Sequence, residues 1–407
     1  MRVEEFIEAH KNDDVSRLAL QRNRYSEMTD TDFSFALQQI EGRQRTREKL
    51  PFLDNYPEWW FPKRLSTEQC SSEVTARYKR SLRFQVSGFK VQVSGFKVQG
   101  SGFKLVDLTG GMGIDTLFLA ELFKEVHYVE RDEELCRIAE HNFGLTSSRE
   151  VIKVHHSEAE DFLQQLTHAD LIYIDPARRA ASGRKVFRIE DCEPDVACLL
   201  PVLKEKCPAL LLKLSPMLDL SAALTSLPGA REVHIVAVRG EVKEVLVIVN
   251  SEKVIANSEV VEIHCVNLET KDEELVFTMK EEREAECEYA EEAGEYIFEP
   301  NAAIMKAGAF KTVAKRYGVK KLGVNTHLYT SDRLIENWSG RVWRITAALS
   351  SIPKKGERLK MNIVSRNYPL SADEIRRHYK IEDGGEKWLI ATRVAEKKAM
   401  FLAERVQ

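Results

Sequence analysis

The chain has 407 residues, an apolar fraction of 43% and a formal net charge of -4 at pH 7. This length allows two or three domains, and the charge excludes a polybasic coat protein for nucleic acid while leaving room for a local basic face. The seven cysteines are scattered, with no CxxC pair, which argues against a disulfide framework or a zinc cluster and favours a reducing cytoplasm. No apolar run approaches the roughly 20 residues of a membrane span, and the acidic N-terminus lacks a signal core. We therefore expect a soluble, cytoplasmic protein.

Residues 1–64 indicate a small helical domain, because their apolar residues recur at helical spacing and no glycine precedes Gly42. The domain ends in an aromatic cluster of Tyr56, Trp59, Trp60 and Phe61. This cluster could stack a nucleobase, but aromatic residues bury so much area that an anchor for docking the helical domain is the favoured interpretation. A short amphipathic helix is predicted over 65–82, with Ser66 or Thr67 as its N-cap.

Residues 86–104 contain an exact short repeat, VSGFKVQ-VSGFKVQ-GSGFK. Each unit carries a glycine and β-branched residues, which excludes a coiled coil and is compatible with a β-hairpin. A basic, aromatic arm that touches a polynucleotide is one interpretation. The favoured one is a tolerated surface insertion, since loops accept insertions at low cost.

Residues 104–250 alternate strand and helix patterns, which predicts an α/β fold with a mostly parallel, doubly wound sheet. The predicted strands are 105–108, 125–129, 151–154, 170–174, 209–214, 232–238 and 243–249. The predicted helices are 114–123, 132–143, 157–166, 192–206 and 217–226. Only a few residues around Gly240 join the last two strands, so these two must be antiparallel.

The remainder of the chain divides into an acidic segment and a second α/β unit. Residues 251–300 are strand-prone and then acidic, which favours a solvated segment or domain linker. The predicted elements of 301–407 are a helix at 301–317, strands at about 322–329, 341–348, 359–365 and 387–393, and a helix capped by Ser371. The predicted domains are therefore 1–64, 65–250 with the 86–104 insertion, 251–300 and 301–407.

Candidate ligand residues follow the predicted strands, at the edge where open α/β sheets bind ligands. The first strand runs into LVDLTGGMGID (105–115), whose glycines let backbone approach a ligand in front of a helix N-terminus. Glu130 ends the second strand some twenty residues later, and its carboxylate could accept two hydrogen bonds from a ribose diol. After the third strand, Ser157 could cap a helix, and Glu158 or the backbone at Ala159 could meet an adenine edge.

The fourth strand ends in Asp175-Pro176, followed by Arg178 and Arg179. Proline turns the chain away from the sheet, so Asp175 would be presented over the pocket, where it can hold the N–H or O–H of a nucleophile. The two arginines suit phosphate, although a turn with solvated arginines is the alternative.

Together these motifs resemble the class I S-adenosylmethionine-dependent methyltransferases. The residues that carry the resemblance are DLTGGMGID, Glu130, the SEAED segment, IDPAR and the closing antiparallel hairpin. The resemblance implies a Rossmann-like, seven-stranded sheet of order 3-2-1-4-5-7-6 and S-adenosylmethionine as cofactor. It places Glu130 at the ribose and Glu158 near the adenine. The loop residues that it assigns to the cofactor are Asp107, Thr109, Gly110, Gly111, Gly113 and Asp115.

Longer stretches are similar to a narrower group, bacterial methyltransferases with a THUMP-like C-terminal domain, related in some ways to trimethylguanosine synthases. These stretches are TEQCSSEVTARYK, DLTGGMGIDT, IDPARR, FEPNAAIMKAGAF, NTHLYTSD and SRNYPLSADEIRR. Because THUMP-type domains are linked with RNA binding, the resemblance implies a structured RNA substrate (tRNA, rRNA or small RNA). The basic C-terminal residues are compatible with it, although a solvated face would explain them as well; they are Lys320, Lys321, Arg366, Arg376 and Arg377.

The acceptor atom is open between a base nitrogen and a ribose 2'-hydroxyl. N-methyltransferases usually carry Asp or Asn, then Pro-Pro-aromatic, where this chain has Asp175-Pro176-Ala177-Arg178. Tyr173, Phe187 or an aromatic residue elsewhere could stack the base instead. The ribose alternative rests on a similarity to the Lys-Asp-Lys-Glu set of 2'-O-methyltransferases. The residues in the corresponding order are Lys79, Asp175, Lys213 and Glu232.

Lys213 stands inside an apolar strand, where an unpaired ammonium is costly, so it needs Asp175 or Glu232 as partner. It could lower the pKa of a hydroxyl or act as base, or belong to a structural ion pair. Asp175, Pro176 and Lys213 are thus the candidate catalytic residues, and Lys79, Arg178 and Arg179 the candidate substrate contacts. Methyl transfer needs no metal, and ligand spacing suggests none. The alternative function is a non-catalytic RNA-binding protein on a degenerate methyltransferase scaffold.

Overall fold

The computed structural model describes residues 2–82, 84–86, 89–91, 103–178, 188–251, 260–349 and 359–406. The chain divides into two compact units, Met1–Ala230 with Val247–Val254, and Arg231–Leu246 with Ile255–Gln407. Within the described ranges, no helix has both the length and the apolar character that crossing a membrane requires.

The first unit begins with helices. They are α1 (Val3–His10), α2 (Val15–Leu20), α3 (Asp30–Thr46), α4 (Arg64–Gln69) and α5 (Glu73–Ser81). The prediction of a single helix over 65–82 is wrong, because this segment forms two helices, α4 and α5. The second starts at Ser72, whose hydroxyl accepts the N–H of Thr75 at 3.2 Å, and the predicted caps Ser66 and Thr67 lie inside α4.

The aromatic cluster anchors the helical segment within this unit, as the favoured interpretation predicted. Phe61 is buried, and its backbone N–H and C=O both bond the side-chain amide of Gln39, at 2.7 and 3.1 Å. Trp60 stacks on the ring of His141 with centroids 3.8 Å apart. The Asn142 side chain bonds both the backbone N–H and the backbone C=O of Trp60. The ring face of Trp60 that lies against His141 is therefore not open to a nucleobase.

The helices that follow alternate with strands, as predicted. They are α6 (Ile114–Ala120), α7 (Glu133–Gly144), α8 (Ala159–Gln165), α9 (Val196–Lys206) and α10 (Leu220–Ser226). The strands up to residue 278 are β1 (Phe84–Val86), β2 (Phe89–Val91), β3 (Lys104–Asp107), β4 (Glu125–Glu130), β5 (Ile152–His156), β6 (Leu171–Ile174), β7 (Ala177–Arg178), β8 (Cys192–Glu193), β9 (Ala209–Leu214), β10 (Ala230–Val238), β11 (Glu241–Asn250), β12 (Glu262–Leu268) and β13 (Leu275–Thr278).

The large sheet has the order β5-β4-β3-β6-β9-β11-β10-β12-β13. Its first seven strands follow the expected order 3-2-1-4-5-7-6, and β3, β4, β5, β6 and β9 pair in parallel. All four residues of β6 are buried, as expected for a strand covered on both faces. The carboxyl ends of the parallel strands therefore meet at one edge, where the candidate ligand residues lie.

Two further strands come from residues 251–300, the segment that the sequence predicts to be strand-prone and then acidic. β12 pairs in parallel with β10, and β13 pairs antiparallel with β12. The acidic run that follows begins as a short helix, α11 (Met279–Glu284), capped by Thr278. Of the 86–104 repeat, β1 and β2 form an antiparallel pair in which Phe84 faces Val91, and residues 92–102 lie outside the described part of the chain.

The C-terminal sheet has the order β15-β16-β14-β17-β20-β19-β18. Its strands are β14 (Tyr296–Pro300), β15 (Lys320–Gly323), β16 (Thr326–Ser331), β17 (Gly340–Leu349), β18 (Asn362–Ser365), β19 (Lys387–Val394) and β20 (Lys397–Arg405). Its helices are α12 (Ala302–Ala307), α13 (Phe310–Tyr317) and α14 (Ala372–Tyr379).

Two predicted elements of this region are wrong and one is confirmed. The strand predicted at about 322–329 is wrong, because this segment forms two antiparallel strands, β15 and β16. The helix predicted over 301–317 is broken at Gly308, whose φ of +75° ends α12. The last strand, β20, was not predicted. Ser371 caps α14 as expected, accepting the N–H of Glu374, whose carboxylate accepts the N–H of Ser371 in return.

Replacing Gly42 should destabilise the first unit. A Cβ at this position of α3 would lie 2.3 Å from the Cβ of Phe61, which the Gln39 amide holds in place. We expect Gly42→Ala to lower the free energy of unfolding by about 1–2 kcal/mol, because the overlap outweighs the better helix propensity of alanine. Denaturant unfolding measures the effect. Gly144→Ala is the control, since nothing lies within 4 Å of a Cβ there; equal stability of Gly42→Ala and wild type would contradict the packing described.

Candidate active site

The turn after β3 is built around the buried carboxylate of Asp107. Asp107 accepts the backbone N–H of Thr109 at 3.0 Å and the hydroxyl of Thr116 at 2.5 Å. The Thr109 hydroxyl in turn accepts the backbone N–H of Asp175 at 2.6 Å, so the glycine turn and the end of β6 are joined directly.

Glycine is required in the turn for two different reasons. A Cβ on Gly110 would lie 2.2 Å from the ring of Tyr128, so the backbone passes against this ring. Gly111 and Gly113 have φ values of +55° and +77°, which disfavour other residues. Apart from the Thr109 carbonyl oxygen at 3.8 Å, nothing lies within 4 Å of a Cβ on Gly111, so the turn leaves open space there.

Glu130 faces the glycine turn from the end of β4. Its two carboxylate oxygens accept the backbone N–H of Gly111 at 2.8 Å and of Asp132 at 3.0 Å. Each oxygen keeps a second lone pair that can accept from a ligand hydroxyl. The turn and this carboxylate therefore fit a ligand that carries a diol and needs close backbone approach.

A network of two lysines and two aspartates lies behind the turn, an arrangement we call the ion network (Lys79, Asp115, Asp175 and Lys213). Lys79 Nζ lies 3.2 Å from Asp115 Oδ1, and Lys213 Nζ lies 3.8 Å from Asp115 Oδ2. Lys213 also pairs with the Asp175 carboxylate. The hydroxyl of Ser71 donates to Asp115 at 2.6 Å and accepts from both ammonium groups at 3.2 Å.

Exposure rises along the ion network. The side chain of Lys79 is 0% exposed, that of Asp115 9%, that of Lys213 13% and that of Asp175 36%. Burial would raise the pKa of Asp115, but the two ammonium groups and the hydroxyls of Ser71 and Tyr173 outweigh it and hold this pKa below its ordinary value. Asp175 is thus the end of the network that a substrate can reach.

The pKa of Asp107 is shifted in the opposite direction from that of Asp115. Burial raises its pKa to about 7, although the hydrogen bonds from Thr116 and Thr109 act to lower it. The negative charges of Asp115 and Asp175 add to the upward shift. Asp107 therefore changes protonation near neutral pH, whereas Asp115 stays ionised.

Several predicted site residues lie where their expected role does not fit. Lys79 was expected at the substrate but has no exposed surface, so it acts through Asp115 and Ser71. Tyr173 cannot stack a base, because its ring is buried in β6 and its hydroxyl donates to Asp115 at 2.6 Å. Glu232 lies in the second unit, with its carboxylate 3.4 Å from His234 Nε2.

The structure also locates several of the other candidates. Pro176 is buried beside Asp175, and Glu158 is exposed at the N-cap of α8, a position predicted for Ser157. Arg179, Phe187 and the side chain of Arg178 lie outside the described residues. Lys213 pairs with Asp175, one of the two carboxylate partners expected for an ammonium inside an apolar strand. Ser71 was missed, because a serine between two helices carries no signal of the three charged groups that it contacts.

Comparisons with known proteins agree with this architecture. The model of a ferredoxin-like domain matches residues 296–338, and a THUMP domain-like model matches residues 340–405. A crystal structure of a candidate methyltransferase from Porphyromonas gingivalis W83 is 35% identical, with a TM-score of 0.83, over 100% of this chain and 98% of that one. No curated protein matches the chain.

Two solved structures match in part. The 16S rRNA N2 G1207 methyltransferase of T. thermophilus, in complex with AdoMet and guanosine, is 18% identical over 36% of this chain and 37% of that one, with a TM-score of 0.28. A SAM-dependent methyltransferase of Agrobacterium tumefaciens is 20% identical over 29% of this chain and 40% of that one, with a TM-score of 0.24.

The shifted pKa of Asp107 predicts how stability depends on pH. Between the ordinary value of 3.8 and about 7 the folded chain keeps a proton on Asp107 that the unfolded chain has lost. The contribution of this group therefore falls as pH rises from about 4 to about 7. Relative to wild type, Asp107→Asn should gain unfolding free energy across this window. Urea unfolding at several pH values tests this, with Asp54→Asn as an exposed control; parallel curves for wild type and Asp107→Asn would refute it.

Proposed function

The chain belongs to the class I S-adenosylmethionine-dependent methyltransferases with a THUMP-like C-terminal domain, and we propose that it methylates a base nitrogen of a structured RNA. The observation that carries the choice of acceptor is the contact of Lys213 with two carboxylates, Asp175 and Asp115. Methylation of a ribose 2'-hydroxyl, the other acceptor that the sequence leaves open, would need Lys213 to act as a base.

The glycine turn and Glu130 are the proposed cofactor site. Asp107, Thr109, Asp115 and the turn glycines would form the methionine end, with Asp107 and Asp115 acting from beneath the turn. Glu130 would accept hydrogen bonds from the ribose hydroxyls, with its position fixed by the N–H groups of Gly111 and Asp132. Glu158 would lie near the adenine. When bound, the cofactor supplies a methyl group that is already activated for direct transfer.

Asp175 is the proposed acceptor of hydrogen bonds from the nucleophile. Its backbone is fixed by Thr109 and by Pro176, and Lys213 fixes the direction of its carboxylate. An amine nitrogen becomes positive as it takes the methyl group, and a fixed carboxylate beside it stabilises that charge. The proton that the nitrogen then loses passes to the Asp175 carboxylate and on to water.

A hydroxyl acceptor would require a base. Lys213 is the base of the ribose alternative, but its contacts with Asp115 and Asp175 favour a role as the positive partner that balances their two charges. Glu232, the fourth residue of the ribose set, has His234 as its partner instead. Lys213 therefore serves in this proposal as a positioning residue for Asp175.

The RNA substrate rests on the THUMP-like region, residues 340–405. Four of the basic residues expected to support it have other partners. Lys321 is buried, and Lys320 pairs with Glu288. Arg366 pairs with Glu299, and Arg376 pairs with Asp373 and Asp383. A non-catalytic RNA-binding role is not favoured, because the glycine turn, Glu130 and Asp175 are all in place.

Cofactor binding should depend on Glu130. Glu130→Ala removes the acceptor of two ribose hydroxyls and should weaken S-adenosylmethionine binding about ten- to hundredfold, since hydrogen bonds to a charged group contribute about 1.5–3 kcal/mol. Isothermal titration calorimetry measures the Kd. Glu140→Gln, an exposed carboxyl on α7, should bind as wild type does. An unchanged Kd in Glu130→Ala would remove Glu130 from the cofactor site.

The identity of the acceptor atom is tested by the position of the label in the methylated RNA and by two variants of Lys213. Total RNA incubated with the protein and tritiated S-adenosylmethionine should carry the label on a base after digestion to nucleosides. Lys213→Arg keeps the charge beside Asp175 and should retain activity within about tenfold of wild type, whereas Lys213→Met should lose about 100-fold or more in kcat. If Lys213 were a base, both variants would be inactive.

Controls separate chemistry from folding in this experiment. Circular dichroism and the Kd for S-adenosylmethionine must match wild type in both variants, because removing one member of a buried ion pair destabilises a fold. Asp175→Ala provides the background for the labelling. Label on ribose would overturn the acceptor, and no label above this background would overturn the RNA substrate.

A further inference from the structure

Two adjacent parallel strands of the second unit carry the same short pattern on one face. β10 contains Glu232 and His234, and β12 contains Glu262 and His264. The register places Glu232 opposite Glu262 and His234 opposite His264. Side chains two residues apart on a strand share a face. The two carboxylates are therefore neighbours across the strands, and the two imidazoles lie beside them on the same face of the sheet.

The side-chain contacts confirm this arrangement. The rings of His234 and His264 stack with centroids 4.3 Å apart. His234 Nε2 lies 3.4 Å from Glu232 Oε2, and His264 Nε2 lies 3.8 Å from Glu262 Oε2. One nitrogen or oxygen from each of Glu232, His234 and His264 lies within 4.8 Å of the other two.

His264 is oriented as a ligand by a carboxylate behind it. Its Nδ1 lies 2.6 Å from Glu274 Oε1, and because a carboxylate only accepts, this nitrogen carries the proton. Nε2 of a neutral His264 then presents a lone pair, and this buried nitrogen has no hydrogen-bond partner among the residues that the structure describes. A histidine whose other nitrogen is held by a carboxylate is the usual arrangement at protein metal sites.

We propose that Glu232, His234 and His264 bind a divalent transition metal ion, with Zn²⁺ as the best match and Glu262 as the fourth ligand. Imidazole nitrogen and carboxylate oxygen are preferred zinc ligands, whereas Ca²⁺ and Mg²⁺ prefer oxygen alone. A tetrahedral zinc ion places its ligand atoms about 3.4 Å apart. Glu232 Oε2 and His234 Nε2 are already 3.4 Å apart, and the ligand atoms of Glu232, His234 and His264 all lie within 4.8 Å of one another.

Electrostatics supports a cation at this position. Glu232 and Glu262 face each other across the two strands, and like charges in such a pair destabilise a sheet.

With four protein ligands the ion would be structural, holding β10 and β12 together. The two Glu-x-His patterns lie thirty residues apart in the chain, which is why ligand spacing in the sequence did not suggest a metal. Metal binding at this site does not depend on methyl transfer, and it can be measured without an activity assay.

The experiment uses the purified full-length chain, with metal content by mass spectrometry, Zn²⁺ titration by calorimetry and Co²⁺ absorption for coordination. Wild type should bind one Zn²⁺ per chain and give the intense Co²⁺ spectrum of a tetrahedral site. His264→Gln should bind Zn²⁺ more weakly than wild type by about 100-fold or more. Glu274→Gln, which leaves the ligands in place, should weaken binding about 10–100-fold. His378→Gln, at an exposed histidine of the same unit, should bind as wild type.

Absence of zinc binding by wild type would overturn the proposal, and so would His264→Gln binding as tightly as wild type. Circular dichroism checks that each variant is folded. If His264→Gln is unfolded, Glu232→Gln and Glu274→Gln decide: weakened binding in both supports the site, and wild-type affinity in both overturns it.

Discussion

The ion network is the constraint on which the rest of the candidate active site depends. Lys79 is fully buried on α5, and a buried ammonium is tolerated only where its charge is balanced. Asp115 on α6 supplies that balance, and the same carboxylate contacts Lys213 on β9. Two helices and a central strand are thereby held in one arrangement, since moving any of them would leave an uncompensated charge in the interior.

The network also explains why Asp175 can be both fixed and reachable. Its backbone N–H is bonded to Thr109, and its carboxylate is paired with Lys213, so little conformational freedom remains. Two positive and two negative groups make the network neutral as a whole. An oriented carboxylate with no excess of charge around it is the environment that the proposed nitrogen acceptor requires, since that nitrogen would become positive only during the transfer.

Much of this architecture could be predicted from the sequence, because it follows from long apolar patterns. Buried runs such as Leu171–Ile174 identify central parallel strands, and the glycine turn and Lys213 follow from local chemistry. What failed depended on single residues or on tertiary contacts. Gly308 ends a helix that its neighbours would continue. The turn before β20 uses Ala395 and Glu396 at φ values of 44° and 66°, where glycine or asparagine would be the usual signal, so the hairpin could not be recognised.

Asp107 and Asp115 show why the roles of individual carboxylates could not be predicted from the sequence. They lie eight residues apart in one motif, and both are buried. Asp115 meets two ammonium groups, which stabilise its charge, whereas Asp107 meets hydroxyl and amide donors that compensate only part of its burial. The difference arises from Lys79 and Lys213, which reach the motif from α5 and β9. Burial is the largest cause of the raised pKa of Asp107, and the negative charge of Asp115, which the two lysines stabilise, adds to it. The same pair of lysines therefore keeps Asp115 ionised and contributes, through that charge, to the raised pKa of Asp107.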